Sequence, residues 1–319
     1  MTTATTPGGS GLPDPLSTAT AGDPESGVDA AIAAARRSSR LPGWFVILWR
    51  DVKCRIGILL LAAFVVIAVG APLIAPYDPR ATVGVPNSLP DGQFWLGTTS
   101  EGEDVLSQLI WGAQTSLIVG LIAGVISTVI GLIIGLLAGY TRGVVDEVLS
   151  FFTNLALVVP VLPLIVTLAS YSPVRGLWLI IFVISVTGWA YGARIKRAQV
   201  ISLRTRDYVT AAKLAGDGTM RIIVREIMPN MTSLIVVGFM GAALGAIGGE
   251  AGLAFLGLGD PQTVSWGTML NQANLGGALL TGQLAWLAAP GLALALLITS
   301  FTLINFGVDA LSNPQLREG

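Results

Sequence analysis

The sequence is 319 residues long, carries a formal net charge of −1, and combines 53% hydrophobic residues with only 12% charged ones. An average soluble domain is roughly 25% charged, so this composition predicts an integral membrane protein surrounded by lipid, and the near-neutral charge gives no reason to expect nucleic-acid binding. The chain has no histidine and one cysteine, Cys54, which excludes histidine-based catalysis, a Cys/His metal site and an internal disulfide. No lysine follows a glycine, so a nucleotide-binding P-loop is excluded as well. We therefore expect this chain to hold no cofactor and to carry out no bond chemistry.

The N-terminal part of the chain changes abruptly in composition. Residues 1–43 are rich in Thr, Pro, Gly, Ser and Ala without a periodic apolar face, which predicts a disordered tail. Residues 44–76 are predicted to contain a short entry segment and the first transmembrane helix, which starts near Ile56 and ends near Pro72 and Pro76. Because the basic residues come late and precede a full-length apolar span, a signal peptide is not predicted.

Residues 77–104 are polar, contain prolines and glycines, and are too long for a tight turn, so they are predicted to form an external excursion. This segment is acidic, with Arg80 against Asp78, Asp91, Glu101, Glu103 and Asp104. Two interpretations are open, because charge clusters are commonly only solvated surface. The segment is either a docking surface or cap over a pore entrance, or a solvated loop folded over the helices.

Residues 105–309 are predicted to form a core of five further transmembrane helices, because apolar stretches of about 20 residues or more recur there. Lipid forces every backbone N–H and C=O group to bond within its own helix, which favours α-helices. The predicted spans are one long span within 105–141, followed by 148–170, 176–193, 230–253 and 284–306. Together with a C-terminal tail at 310–319, the sequence predicts an all-α membrane protein with six spans.

The distribution of lysine and arginine supports six spans with both termini in the cytoplasm. Under this topology sixteen of the eighteen basic residues lie on the cytoplasmic side, and only Arg80 and Arg175 lie outside. Basic residues are retained on the cytoplasmic side of a membrane, so a five-span or seven-span arrangement is disfavoured. We expect a multi-pass protein of the cell membrane. Tryptophans near the predicted outer boundaries are expected to be interfacial anchors: Trp95, Trp111, Trp266 and Trp286.

Glycines at four-residue spacing allow helices to approach closely. One set lies in the second predicted span, at Gly120, Gly124, Gly131, Gly135 and Gly139. A second set lies in the fifth, at Gly238, Gly241, Gly245, Gly248 and Gly249. Ordinary packing within a helical bundle and a moving gate or subunit interface both fit this pattern.

The cytoplasmic segment 198–229, between spans four and five, contains a helix–turn–helix pattern. Two short helices are predicted to meet at Gly216-Asp217-Gly218, where glycine ends a helix and tolerates left-handed dihedral angles. Either Asp217 or Thr219 can cap the next helix. A short bent helix among basic residues is suited to act as a lever for a soluble partner.

This segment resembles the E-A-A-x3-G-x9-I-x-L-P loop of bacterial ABC importer permeases. Ala211, Ala212, Gly216 and Pro229 match in register, whereas Thr210, Glu226 and Met228 replace the family's glutamate, isoleucine and leucine. In that family the loop sits in a groove of the ATPase and transmits its motion to the spans. The resemblance implies an ATPase-coupling role for Asp207, Tyr208, Ala211, Ala212, Gly216, Asp217, Gly218 and Met220.

Further stretches resemble the second, C-type permease of oligopeptide, dipeptide and nickel importers, over nearly the whole chain after residue 45. They include A-P-L-I-A-P-Y-D-P at 71–79, W-L-G-T at 95–98, F-L-G-L-G at 255–259 and S-W-G-T-M-L at 265–270. Glu103 departs from the G-R-D triplet common in these proteins.

The resemblance implies a type I ABC importer permease that forms half of a heterodimeric pore. Its partners would be a homologous permease, one or two ATPase subunits that hold ATP and Mg²⁺, and an extracytoplasmic substrate-binding protein. This chain would not be an enzyme, and would work by alternating access. Peptides are the predicted substrate, with oligosaccharides or nickel as alternatives within the class. A stand-alone secondary transporter is the competing class, but it would typically place ionisable sites near the midplane.

Glu250, near the outer end of span five, and its neighbour Gly249 are candidates for the translocation path or a gate. An acid at membrane depth is costly unless it has a partner or faces water. Glu250 is thus interpreted either as a pore-facing or gate-locking carboxylate, or as a hydrogen-bonded packing residue. Asp309, at the inner end of span six, is predicted to be solvated or to lie at a capped helix terminus.

Overall fold

A computed structural model of the chain describes residues 51–172, 176–260 and 262–312, all within one compact unit. The predicted tail at 1–43, most of the entry segment and residues 313–319 lie outside the described residues, as do Arg175 and Pro261. The described residues form ten α-helices: α1 Val52–Ile74, α2 Val105–Tyr140, α3 Val144–Val158, α4 Val161–Tyr171, α5 Leu177–Leu203, α6 Asp207–Leu214, α7 Thr219–Ile222, α8 Thr232–Phe255, α9 Trp266–Leu275 and α10 Leu284–Ser312.

The predicted all-α membrane fold is confirmed. Five described helices are long and apolar enough to cross a membrane, namely α1, α2, α5, α10 and the continuous helical stretch Thr219–Phe255 that contains α8. The predicted third span, 148–170, is not one straight helix: α3 and α4 meet at a bend of 86°, and the count of six spans holds if this bent pair crosses the membrane as one span. Pro160 explains the break, because it lacks an N–H group and holds the preceding residue, Val159, in an extended conformation.

Helix α5 is longer than the predicted fourth span, which ended at residue 193. It continues to Leu203, so the first part of the predicted loop 198–229 is helical and belongs to α5. No proline or glycine follows Arg194 within this stretch, and the extra turns bury Lys196 and Val200 on the same face as Ala193. Tertiary contact with α2 therefore extends the helix beyond the point where the sequence turns polar.

The glycines of α2 pack the bundle within this chain. A Cβ atom on Gly131, Gly135 or Gly139 would lie 2.9, 2.8 or 2.6 Å from atoms of α5, and one on Gly124 would lie 2.9 Å from the Cα of Ala243 in α8. The packing interpretation is thus supported for this first set. In the second set, an added Cβ would meet open space within the described residues at Gly241, Gly245 and Gly248.

The external segment 77–104 is folded over the ends of the helices. Glu103 and Asp104 are buried, and Asp104 caps α2 by accepting hydrogen bonds from the backbone N–H and the hydroxyl of Ser107. The Gln283 amide, just before α10, donates to the backbone oxygen of Thr98 at 3.0 Å. The folded-loop interpretation is supported, while a docking or capping role stays a prediction.

Two of the four tryptophans predicted as interfacial anchors lie in the core instead. Trp266 and Trp286 are each 1% exposed. The indole N–H of Trp266 donates to the backbone oxygen of Leu109 at 2.9 Å, and its ring packs edge-to-face against Phe64. That prediction is wrong for these two residues, because both indole rings are packed in a buried apolar cluster. Trp95 is 72% exposed, as an interfacial side chain would be.

Candidate coupling site

The predicted coupling loop contains α6 and α7, joined by a turn at Gly216. Gly216 has φ +84, a left-handed conformation that favours glycine. Its N–H donates to the oxygen of Lys213, and the Asp217 N–H donates to the oxygen of Ala212, which is the pattern of a Schellman motif. The predicted meeting point of two helices at 216–218 is confirmed.

The capping prediction for the second helix is wrong. Gly218 occupies the N-cap position of α7 and no side chain caps the helix. Asp217 instead forms an ion pair with Arg221 at 3.2 Å, one helical turn away. The carboxylate therefore links the turn to α7 through a side chain, and the hydroxyl of Thr219 is not used as a cap.

Helix α6 has one face against the bundle and one face exposed. Val209 is buried and Ala212 is half-buried in an apolar cluster that also contains Leu136 of α2 and Val200 of α5. The Lys213 ammonium lies 5.2 Å from the centre of the Tyr140 ring, at the end of α2. The printed contacts of α6 are thus with this apolar cluster and, through Lys213, with the end of α2. The predicted residues on the exposed side are Asp207, Tyr208, Ala211, Gly216, Gly218 and Met220.

The exposed side also presents apolar surface. Leu214 is 85% exposed and Met220 is 64% exposed, on either side of the turn, and Tyr208 in the first turn of α6 is 37% exposed. Isolated exposed apolar residues are common. These residues, however, all belong to one bent element whose other face is buried in the apolar cluster. The sequence prediction included Tyr208 and Met220 and missed Leu214, which lies between the two matched motif residues Ala212 and Gly216.

The chain returns to the membrane through an irregular but buried helical stretch. After α7 it forms a π-helical turn at Ile223–Ile227 and a 3₁₀ turn at Met228–Met231, before α8 begins. Pro229 lies in this transition and cannot donate a backbone hydrogen bond. Ile222, Ile223 and Ile227 are nevertheless buried in the cluster behind α6. The loop and α8 are therefore connected without a flexible linker.

Two arginines anchor the base of the loop. Arg197 of α5 forms a two-pronged ion pair with Asp146 of α3, with N–O distances of 2.8 and 3.0 Å. Arg204 donates to the backbone oxygens of Gly139 and Thr141 at 2.8 and 3.3 Å, which satisfies carbonyls at the end of α2. The root of the coupling loop is thus tied to three helices.

The structure places Glu250 and Gly249 far from the coupling loop. Eighteen residues of helix separate Glu250 from the start of α8, a rise of about 27 Å. Glu250 is 2% exposed and lies within hydrogen-bonding reach of Ser265, the N-cap of α9, while its Oε2 has no partner among the described residues. A Cβ on Gly249 would contact Ile184 of α5 at 3.5 Å. This geometry favours the packing interpretation, and a gate role stays a prediction.

Lys196 is a residue whose position the sequence did not reveal. It counted as one of the basic residues of a cytoplasmic loop, yet it lies inside α5 and is only 2% exposed. Its side chain borders a cavity between helices. Its burial was hard to recognise from the sequence, because the nearby Arg194 and Arg197 make this end of α5 look polar on all sides.

The fold is that of a multi-pass helical membrane protein in which a bent helical loop, α6 and α7, packs against an apolar cluster at the helix ends. Residues 131–318 match the family model for binding-protein-dependent transport system inner membrane components. The chain is 30% identical to the oligopeptide transport system permease protein OppC of Bacillus subtilis, over 92% of this chain and 99% of that protein. It is 35% identical to the di/tripeptide transport system permease protein DppC of Pseudomonas aeruginosa, over 82% and 88%.

The chain belongs to the family of binding-protein-dependent transport system inner membrane components, as the sequence resemblance implied. It is thus a permease subunit of an ABC importer. Among solved structures, the fold is similar to a chain of the MetNI methionine ABC transporter in an inward-facing conformation, with a TM-score of 0.53 and 21% identity over 64% of this chain and 94% of that one. At that identity the similarity supports the fold alone.

Proposed function

We propose that this subunit forms half of a translocation path for peptides and that α6 and α7 couple it to ATP hydrolysis on a partner chain. The observation that carries the proposal is the two-sided loop: Val209 and Ala212 belong to an apolar cluster that also contains residues of α2 and α5, while Leu214 and Met220 are exposed. An ATPase that binds the exposed side would move the loop as a rigid lever. The lever would shift α5 and α8, to which it is directly joined.

Peptides are the proposed substrate class because relatives that cover most of this chain are named as oligopeptide, dipeptide and di/tripeptide permeases. The proposed partners are a homologous permease, one or two ATPases that carry ATP and Mg²⁺, and an extracytoplasmic binding protein. The subunit itself is proposed to have no ATPase site and to keep both termini in the cytoplasm. The open glycine face of α8, at Gly241, Gly245 and Gly248, is a candidate contact with the homologous permease.

Purification of the tagged chain from native membranes tests the assembly. We expect an ATPase and a homologous permease to co-purify, and the complex reconstituted with its binding protein to take up a labelled dipeptide only when ATP is present. A chain that purifies alone and transports without ATP would overturn the proposal in favour of a secondary transporter. Uptake of an oligosaccharide or nickel in place of peptides would overturn the substrate assignment.

A matched pair of variants tests the coupling surface. In Leu214→Glu, a charge replaces an exposed apolar residue that we place at the ATPase contact. Burying an unpaired charge in an apolar contact costs more than about 1.4 kcal/mol, so uptake should fall at least about tenfold and less ATPase should co-purify. In the control Thr210→Glu, the same charge enters one turn earlier, at an exposed position where the family commonly has glutamate. Equal uptake in both variants would remove Leu214 from the coupling surface.

A further inference from the structure

A cavity of about 370 Å³ lies between α2, α5 and α8, with α10 at one side. Its size falls within the roughly 300–1,000 Å³ that is usual for small-ligand pockets. Much of its wall is small or apolar, including Gly192 of α5 and Gly238 of α8. Lys196 is the one charged residue among the described residues that line it.

The ammonium group of Lys196 points into this cavity. A Cβ atom added to Gly192 would lie 3.1 Å from the Lys196 Nζ, and one added to Gly238 would lie 3.2 Å from it. A helical side chain leans toward the N-terminus of its helix, which here carries the ammonium away from the coupling loop and into the bundle. Glycine on both sides leaves the space that this charged group occupies.

Lys196 has no partner for its charge among the described residues. The ion pairs formed there join Arg197 to Asp146 and Arg221 to Asp217. No described carboxylate forms an ion pair with the Lys196 ammonium, although the residue is only 2% exposed. A buried charge costs free energy unless it has a partner or faces water, so an unpartnered buried lysine at a cavity is a candidate ligand-binding group.

Two further polar groups of the cavity wall are also without partners. The hydroxyl of Thr128 in α2 and the amide oxygen of Asn305 in α10 are buried and form no hydrogen bond with described residues. A hydroxyl can donate a hydrogen bond to an anion, whereas an amide oxygen accepts one from an N–H group of a ligand. The cavity therefore combines one cation and one free hydroxyl with one free amide acceptor, and no acidic side chain lines it among the described residues. A ligand that carries a carboxylate next to an N–H group matches this set.

We propose that Lys196 and Thr128 form a carboxylate-binding site in the translocation path, with the amide oxygen of Asn305, in the same cavity wall, accepting a hydrogen bond from an N–H group of the ligand. The inference rests on the proposed function, in which the carboxylate is the C-terminal one of the transported peptide. Every peptide carries that group whatever its sequence, so one buried lysine would orient diverse peptides without selecting among their side chains.

Ligand-induced thermal stabilisation of the purified complex, without ATP or binding protein, tests the site. The dipeptide Ala-Ala and its C-terminal amide differ only in the carboxylate. We expect Ala-Ala to raise the Tm of the wild-type complex and the amide not to do so. In Lys196→Met the apparent affinity for Ala-Ala should fall at least about tenfold, which corresponds to about 1.4 kcal/mol, while Lys196→Arg should retain most of it. Thr128→Val, which removes only the hydroxyl, should weaken Ala-Ala a few-fold.

Several results would overturn the site. An equal response to Ala-Ala and its amide, or an unchanged response in Lys196→Met, would remove the carboxylate from the interaction. Stabilisation by inorganic phosphate equal to that by Ala-Ala would indicate a general anion site. If Lys196→Met fails to assemble with the homologous permease while Lys196→Arg assembles, the lysine pairs with an acid of that partner. Because no ATP or uptake is involved, these results are independent of the uptake experiment that tests the proposed function.

Discussion

At the scale of single residues, buried ionisable side chains in this chain fall into two kinds. Glu250 lies in the core beside a hydroxyl partner, Ser265, and is enclosed by α8 and α9. Lys196 is equally buried but borders an open cavity and has no described partner. A buried charge costs free energy unless it is paired or hydrogen-bonded. Glu250, which has a partner, therefore suits a structural role, whereas Lys196, which has none among the described residues, suits the binding of a ligand.

Replacing Glu250 with glutamine separates packing from gating. Glu250→Gln keeps the volume and a hydrogen bond to Ser265 but removes a buried charge, so we expect unchanged uptake and an equal or higher Tm. Glu250→Ala should lower the Tm, because it leaves a cavity and an unpartnered hydroxyl, at a cost of about 2–4 kcal/mol. Thermal unfolding gives the Tm of each variant, and peptide uptake by the reconstituted complex gives its transport activity. Loss of uptake in a stably folded Glu250→Gln variant would show that the carboxylate itself is required.

The buried Glu103, in the external segment, should make the thermal stability of the protein depend on pH. Burial, and then repulsion from Glu101, raises the pKa of its carboxyl group, although the Gln108 amide and Arg80 oppose the shift. A raised pKa in the folded state means that the protonated form is favoured there, so this contribution to stability is present at low pH and is lost as pH rises through the folded-state pKa. Glu103→Gln should thus raise the Tm at pH 7.5, with the difference shrinking below about pH 4.5.

Glu101→Gln is the matched control for this pH effect, because Glu101 is exposed beside Glu103. It should change the Tm less, since it relieves only the repulsion and not the burial of the charge. A Glu103→Gln variant that is less stable than wild type at pH 7.5 would contradict the expected sign. That result would mean that the ionised carboxylate contributes more through its 2.6 Å hydrogen bond from Gln108 than its burial costs.

At the scale of elements, the coupling loop depends on one left-handed residue. Gly216 and Gly218 are both exposed, and an added Cβ would meet no described atom within 4 Å at either position, but only Gly216 has positive φ. Gly216→Ala should therefore strain the turn by about 1–2 kcal/mol, loosen the lever and lower the uptake obtained per ATP hydrolysed. Gly218→Ala, the matched control, should leave this ratio unchanged. An equal ratio in the two variants would contradict a rigid lever.

The bounds of the other helices show where local sequence patterns were sufficient to predict the secondary structure and where they were not. Apolar length alone placed the helices α1, α2, α8 and α10 to within a few residues, because a span must satisfy its own backbone in lipid. The bend between α3 and α4 was missed, although Pro160 marks it, because the flanking residues are all apolar and together long enough for one span. The end of α5 was missed because contact with the glycines of α2, rather than local polarity, decides it.

At the scale of the whole molecule, the orientation in the membrane can be measured directly. Cys54 is the single cysteine and is buried against Gly307, so Cys54→Ala provides a background for single-cysteine labelling. Gln93 and Thr210 are exposed, in the external segment and in the coupling loop. In sealed right-side-out vesicles, an impermeant maleimide should label Gln93→Cys at once and Thr210→Cys only after permeabilisation. The reverse pattern would invert the proposed topology.

The sequence by itself determined the class of this protein: a charge-poor chain of long apolar stretches must be a helical membrane protein, and its loop motif and matching stretches placed it among ABC importer permeases. These properties follow from hydropathy, residue spacing and local turn chemistry, all of which depend on residues that are close together in the sequence. Only the tertiary structure decided which side chains face one another. It buried Trp266 and Trp286, seated Glu250 beside Ser265 and exposed Leu214 on the coupling loop. It also placed Lys196 at a cavity, because burial and partnership arise from helices that are distant in sequence.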